Sequence, residues 1–553
     1  MIDLADGLGL LIGVVGIATV ADRIRIAYPI LMVMVGLGVA LIPIHHQVEL
    51  PPDLILLVFL PPLIYDASLE TSIQEIRSQF RPILLLAVGL VIATMSAVAV
   101  VIHAIVPGTS WAVAFTLGAI VSPPDSVAAT QIAGKLGLPR HLTTILGGEG
   151  MMNDATALTA YQLAVLAVAT GFTLTDVVGR FALAVVVGVA VGLAVGWAVS
   201  RLLRLIETPV IENTLLLVLP FAAYLPANEL KGSGVLAVMA AGLYFGRYGS
   251  SSLTPAARLQ QHQIWDLIVF LLTGISFLLV GLELRPVLDS LTNRESGSLV
   301  LESLAVVGVV IVVRMVWIFG ASLLPGRFRL LGRPRRAWRQ STVVGWAGMR
   351  GSVSLAAALA LPNSFPARDL VVFLTFAVIV ATLVGQGLTL PFLIRKLGVA
   401  SPGHQDTVAV LQTRRRLTLA AIRSIDELRS TGDFPEDMVD RLHLGYEFQL
   451  SRVERRLRAF DPEPDPEVVA FDEERGDVPD GAGSGEATAT TDSQDNDPEA
   501  QFRKEQALRQ LVIETERAEL DRLVRRGRIT QRVATSVRGE LDVDETTMRP
   551  GTR

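Results

Sequence analysis

Apolar segments of bilayer length recur along the first 400 residues of this chain, and nothing else in the sequence restricts its fold so severely. A helix needs about 20 predominantly apolar residues to cross the hydrocarbon layer. Thirteen segments are read as candidate spans: 7–20, 27–44, 53–69, 82–106, 111–133, 141–170, 176–200, 210–226, 232–246, 262–283, 298–325, 340–362 and 369–394. The chain is 51% apolar and 18% charged over 553 residues, with a mean hydropathy of +0.49. These values exclude a soluble enzyme with one large core and point to an all-α polytopic membrane protein. With no Cys, disulfides, thiolate metal sites and thiol nucleophiles are excluded. The opening MIDLADGLGLLIGVVGIATV lacks a basic start and reads as a first span, not a cleaved leader.

An odd number of spans puts the termini on opposite sides. Alternate loops then carry 18 basic residues (Arg23 and Arg25, Arg77 and Arg81, Lys135 and Arg140, Arg201 and Arg204, Arg247 and Arg258, six Arg within 327–339, Arg395 and Lys396), against five in the other set (Arg180, Lys231, Arg285, Arg294 and Arg368). Basic loops stay cytoplasmic, so an outside N-terminus and a cytoplasmic C-terminus are expected, in a cell inner (plasma) membrane. The exchange of composition near residue 400 divides the chain into a transmembrane domain 1–400, a helical cytosolic segment 401–460, an acidic linker 461–500 and a charged helical segment 501–553. The linker has fourteen Asp or Glu and one Arg, a disordered composition.

Ionisable groups at membrane depth are costly and read as functional by default. Here they are Asp66, Asp125, Glu149, Asp154, Arg314 and Arg350, with Glu283 near a helix end. Glu149 and Asp154 lie five residues apart, which places them about 140° apart around a helix. They therefore face different surroundings. A carboxylate beside an arginine keeps its charge, so Glu149 is expected to form a structural ion pair with Arg350, leaving Asp154 as the working acid.

Pro123 and Pro124 cannot continue a helix, so the fifth span is broken beside Asp125. Gly345, Gly348 and Gly351 weaken the twelfth span around Arg350. The two interrupted spans occupy matching places in two six-helix halves. That is the pattern of inverted repeats with crossing broken helices around a midplane transport site.

Five stretches now define a likeness: FLPPLIYDASLE (59–70), SPPDSVAAT (122–130), GEGMMNDATAL (148–158), GSGVLAVMAAGLYFG (232–246) with FLLVGLEL (277–284), and GMRGSVSLAAALALP (348–362). Together the chain resembles the bacterial monovalent cation/proton antiporters of the sodium/proton exchanger superfamily, NhaP- and NhaK-like. The resemblance implies a fold of about thirteen transmembrane helices, a homodimer, and exchange of Na+ (or K+ or Li+) for H+ by alternating access. It implies no enzyme activity, cofactor or nucleic-acid partner. The Asn153-Asp154 pair matches the motif associated with electroneutral one-for-one exchange. By the same likeness Asp154, Asn153, Asp125 and Asp66 form the cation and proton site, Asp154 and Asp66 ligate the metal cation, and Glu149 and Arg350 form the buried pair. Two departures concern hydroxyls: Gly150 stands where relatives usually have Ser, and Pro124-Asp125-Ser126 where some have Thr-Asp-Pro, so water or another oxygen must replace the lost ligand, with Ser126 and Thr130 nearby.

Two other classes use similar features. An intramembrane aspartyl protease fits Tyr65-Asp66 but lacks the partner Gly-x-Gly-Asp, since GGEG ends without the acid. An ion channel or a transporter-derived sensor is the alternative that motifs alone do not separate from an exchanger. His103 and His141 read as interfacial residues, Arg314 as a second structural charge in preference to a gating element, and Trp111, Trp197 and Trp317 as interfacial anchors.

Overall fold

The computed structural model describes residues 4–24, 26–42, 52–71, 77, 79–170, 174–249, 252–289, 296–323, 334–399, 404–460, 498–526, 528–529 and 531–548. All regular structure among them is helical. The chain divides into two compact units, Met1–Ser401 and Pro402–Arg553.

In the first unit, α1 (Leu4–Arg23), α2 (Tyr28–Ala40), α3 (Pro52–Glu70) and α4 (Phe80–Ile105) precede the first interrupted element, α5 (Trp111–Val121) and α6 (Ser126–Leu136). Then come α7 (Arg140–Thr170), α8 (Leu174–Leu203), α9 (Pro209–Glu229), α10 (Gly234–Tyr244), α11 (Pro255–Leu282), the short α12 (Leu284–Asp289) and α13 (Ser296–Leu323). The second interrupted element is α14 (Pro334–Trp346) and α15 (Ser352–Leu359), followed by α16 (Arg368–Leu397). Each candidate span has a helix or a broken pair at its place. Seven helices are long and apolar enough to cross a membrane by length and composition. Parts of the spans at 43–44 and 324–325, and residues 327–333 of the basic run, lie outside the described residues.

Burial sorts these helices. Within its apolar window the first broken element is 72% buried and α16 67%, whereas α8 is 22% and α13 28%. The proline break therefore sits where neighbouring helices can satisfy freed backbone groups, and α8 and α13 lie toward the periphery. Small residues set the close contacts: Gly36 of α2 packs against Gly281 of α11, where a Cβ on either would run into the other helix's backbone.

Helix α4 holds a π-helical stretch, Leu85–Leu90, and the Leu85 carbonyl accepts a hydrogen bond from Trp317 Nε1 at 3.2 Å. Such a stretch shifts carbonyls out of the regular ladder, which gives half-buried Trp317 an inter-helix bond instead of an anchor's free position.

The second unit comprises α17 (His404–Thr431), α18 (Glu436–Phe460), α19 (Pro498–Arg525) and α20 (Gln531–Met548). Leu417 packs with Leu520, Leu523, Val537 and Leu541, and Ala421 and Ile425 pack with Met438, Val439, Leu508 and Val512. The helical segments expected separately at 401–460 and 501–553 thus share one core. Residues 461–497 of the acidic linker lie outside the described residues, and its last residues already belong to α19.

Candidate functional site

The first broken element comes apart because Pro123 and Pro124 supply no N–H to carry α5 onward. Residues 122–125 are non-helical, and α6 restarts at Ser126. The second element is open over 348–351. The two gaps are joined directly: the Asp125 N–H donates to the Met349 carbonyl at 2.6 Å.

Interruption leaves helix ends buried, and an orphan backbone group there is expensive. Asp125 serves the restart of α6, where its Oδ1 accepts from the N–H groups of Val127 (2.8 Å) and Ala128 (3.4 Å). The aspartate is an N-cap and places its charge at the positive end of the helix dipole. Arg350 serves the other side of the gap. Its Nε donates to the Val121 carbonyl at 2.9 Å, Nη2 to the Ser122 carbonyl at 3.2 Å and Nη1 to the Gly348 carbonyl, and its own backbone N–H donates to Thr382 Oγ1 at 3.0 Å. A buried cation thereby caps the negative end of α5.

This commitment explains a departure from expectation. Arg350 does not pair with Glu149. Arg314 does, with Nη1 to Oε1 at 2.5 Å and Nη2 to Oε2 at 3.0 Å, and both side chains are almost fully buried. Arg314 Nη2 also donates to the Val344 carbonyl near the end of α14, at 3.2 Å. The carbonyls of α5 use the Arg350 guanidinium, so Glu149 takes the arginine that α13 brings alongside it. The expected pair Glu149–Arg350 is corrected to Glu149–Arg314.

Between the two gaps lies a small cavity of about 60 Å³. Its polar lining comes from Asp125, Ser126 and Asp154, with Ser352 and Ser354 of α15 and Thr273 of α11, and α3 and α11 close it with Leu60, Leu63, Ala67 and Phe277. That space holds a few water-sized groups and is too small for an organic solute. Asp154 is half-buried, makes no hydrogen bond or ion pair among the described residues, and is close enough to Asp125 to feel its charge. Asn153, the next residue, points away and donates from Nδ2 to the Pro124 carbonyl at 3.1 Å, which ties α7 to the break.

The predicted residues are therefore brought together unevenly. Asp125 and Asp154 share the cavity, and Asn153 braces its wall. Asp66 does not line it: the face of α3 that does carries Leu60, Leu63, Ile64 and Ala67. Of the two acids expected as metal ligands, Asp154 is therefore at the cavity and Asp66 is outside its lining. Of the glycines at the second break, Gly351 lies against Asp125 and Gly348 against Arg314, each so near that a Cβ would overlap the facing side chain.

Two crossing interrupted helices around a paired-acid cavity are the build of a membrane exchanger for small cations. The chain belongs to the sodium/hydrogen exchanger transmembrane family, whose sequence model matches residues 9–396. It is 36% identical over 455 residues to an uncharacterized Na+/H+ exchanger of Mycobacterium tuberculosis, covering 79% of this chain and 82% of that one. It is 31% identical over 447 residues to the low-affinity Na+/H+ antiporter NhaS1 of Synechocystis, covering 78% and 82%. Among solved structures, the sodium proton antiporter MjNhaP1 of Methanocaldococcus jannaschii superposes with a TM-score of 0.53 at 16% identity, over 71% of this chain and 98% of that one, a likeness of fold. The protein is thus a multi-pass membrane cation/proton antiporter, a transporter and not an enzyme, and Na+ and H+ are the family's transported ions.

Proposed function

We propose that the chain exchanges one Na+ for one H+ by letting the two ions compete for the Asp154 carboxylate. The observation that carries this reading is that Asp154 has no hydrogen bond or ion pair among the described residues, although it lines a cavity between two helix breaks. The other buried charges are already engaged, Glu149 by Arg314, Arg350 by the α5 carbonyls and one oxygen of Asp125 by the α6 cap. Of the two acids that line the cavity, Asp154 is the one with no hydrogen bond among the described residues to give up when its occupant changes.

Exchange follows from desolvation. A bare carboxylate is costly to carry through a water-excluding barrier. Proton or cation neutralises it equally in charge, so the loaded site crosses and the empty one stays. One acid that takes either a proton or a monovalent cation gives electroneutral, one-for-one coupling. Li+ and K+ are the further candidate ions, since any small hard cation accepts carboxylate and hydroxyl oxygens. The chain is placed with its N-terminus outside and the unit after residue 401 in the cytoplasm, on the distribution of basic loops.

The test uses inside-out vesicles from cells without exchangers of their own. A preset pH gradient should collapse on addition of Na+ with the parent protein and persist with Asp154→Asn. Collapse by Asp154→Asn at the parental rate would remove the proposal.

A further inference from the structure

Ser126 stands at the restart of the first broken element. It is the first residue of α6, it lines the cavity, and its hydroxyl makes no hydrogen bond among the described residues. Its side chain is nonetheless tightly placed. Gly150 of α7 is opposite, and a Cβ built there would overlap both Cβ and Oγ of Ser126, while the Ser126 Cα would stay at 3.3 Å. The serine thus fills the notch left by the missing side chain.

The notch is one helical turn from Asp154. Positions four apart on a helix stand about 5–6 Å apart on one face. A hard cation of calcium's size, which is close to that of Na+, holds oxygen ligands at roughly 2.3–2.6 Å, so oxygens on opposite sides of one ion are about 5 Å apart. A hydroxyl held over Gly150 and a carboxylate at Asp154 therefore have the spacing to share one ion.

We propose that the Ser126 hydroxyl, seated over Gly150, is an oxygen ligand of the transported alkali cation and sets the cation preference. The inference rests on the antiport reading above. A proton needs only the carboxylate, whereas a cation needs further oxygens to replace its water. Loss of this hydroxyl therefore weakens the cation and spares the proton.

Three variants in the vesicle assay, with Na+, Li+ and K+ compared, test it. Ser126→Ala should raise the apparent KM for the preferred cation roughly five- to tenfold, as expected for one neutral oxygen contact, change the spacing between the three cations and leave maximal exchange largely intact. Gly150→Ser alone should abolish exchange, because its side chain collides with Ser126. Ser126→Gly/Gly150→Ser moves the hydroxyl across the notch without the collision and should recover cation affinity. An unchanged KM and cation order in Ser126→Ala, with Asp154→Asn inactive, would overturn the role of Ser126 and leave the antiport reading standing. Exchange that survives Asp154→Asn would overturn both. Ser126→Ala keeps Cβ and removes only the oxygen, so a folding failure of the swapped variant leaves the decisive comparison available.

Discussion

Arg314 holds Glu149 through both guanidinium Nη atoms, at 2.5 and 3.0 Å, across 165 residues of sequence. Removing one partner strands the other charge in the core. Arg314→Met or Glu149→Leu should each cost about 3–5 kcal/mol, read as a large drop in the unfolding temperature of the detergent-purified protein. The double variant Glu149→Leu/Arg314→Met should lose clearly less than the two single losses added together. Additive losses would mean the pair is not coupled.

Asp125 carries two duties that substitution separates. Asparagine is as good an N-cap as aspartate. Asp125→Asn should therefore keep an unfolding temperature near the parent's while slowing exchange at least tenfold, because it removes a charge beside Asp154. Asp125→Ala should lose in addition about 1–2 kcal/mol through the lost cap. Thermal melts alongside vesicle exchange check both halves.

The glycines of the site divide by what faces them. A Cβ at Gly351 would overlap the Asp125 carboxylate, whereas one at Gly147 of α7 meets nothing within 4 Å. Gly351→Ala should abolish exchange. Gly147→Ala should keep it and gain roughly 0.5–1 kcal/mol from the better helix former. Two alanine variants with the same outcome would contradict this division.

Proton competition fixes a pH dependence. As pH falls, protons fill Asp154 and the apparent KM for the cation rises, toward about tenfold per pH unit once the protonated form predominates. Maximal exchange at saturating cation should resist the change longer. The measurement is the cation concentration for half-maximal collapse of the gradient, taken over a series of pH values. A KM that stays flat as pH falls would rule out a shared carboxylate.

Much of this architecture was legible in the sequence. Pro123 and Pro124 announce one break outright, since proline chemistry is local. Glycines about Arg350 mark the other, and apolar length marks the remaining helices. The 140° between Glu149 and Asp154 separates their surroundings before any coordinates exist: one meets Arg314 and the other the cavity. The partner of Glu149 was not legible. That depends on which helix lies beside α7, and helical phase says nothing about the neighbour. Arg314 carries a usable signal, as a lone intramembrane cation in the span at 298–325, but Arg350 has the same claim in the sequence, and what separates them is that the Val121 and Ser122 carbonyls engage Arg350. Asp66 was drawn in by motif likeness, and the orientation of α3 puts Leu63 and Ala67 at the cavity instead. The fit of Ser126 over Gly150 involves two positions 24 apart whose closeness is a product of packing.

The most direct test of the account counts protons. Purified protein in detergent is titrated with Na+ in two buffers of different ionisation enthalpy, and the difference in heat gives the protons released per cation bound. The account predicts that release approaches one proton per Na+ at a pH low enough for Asp154 to start protonated, and that Asp154→Asn abolishes it. Sodium binding with parental affinity and no proton release, or release that persists in Asp154→Asn, would contradict it.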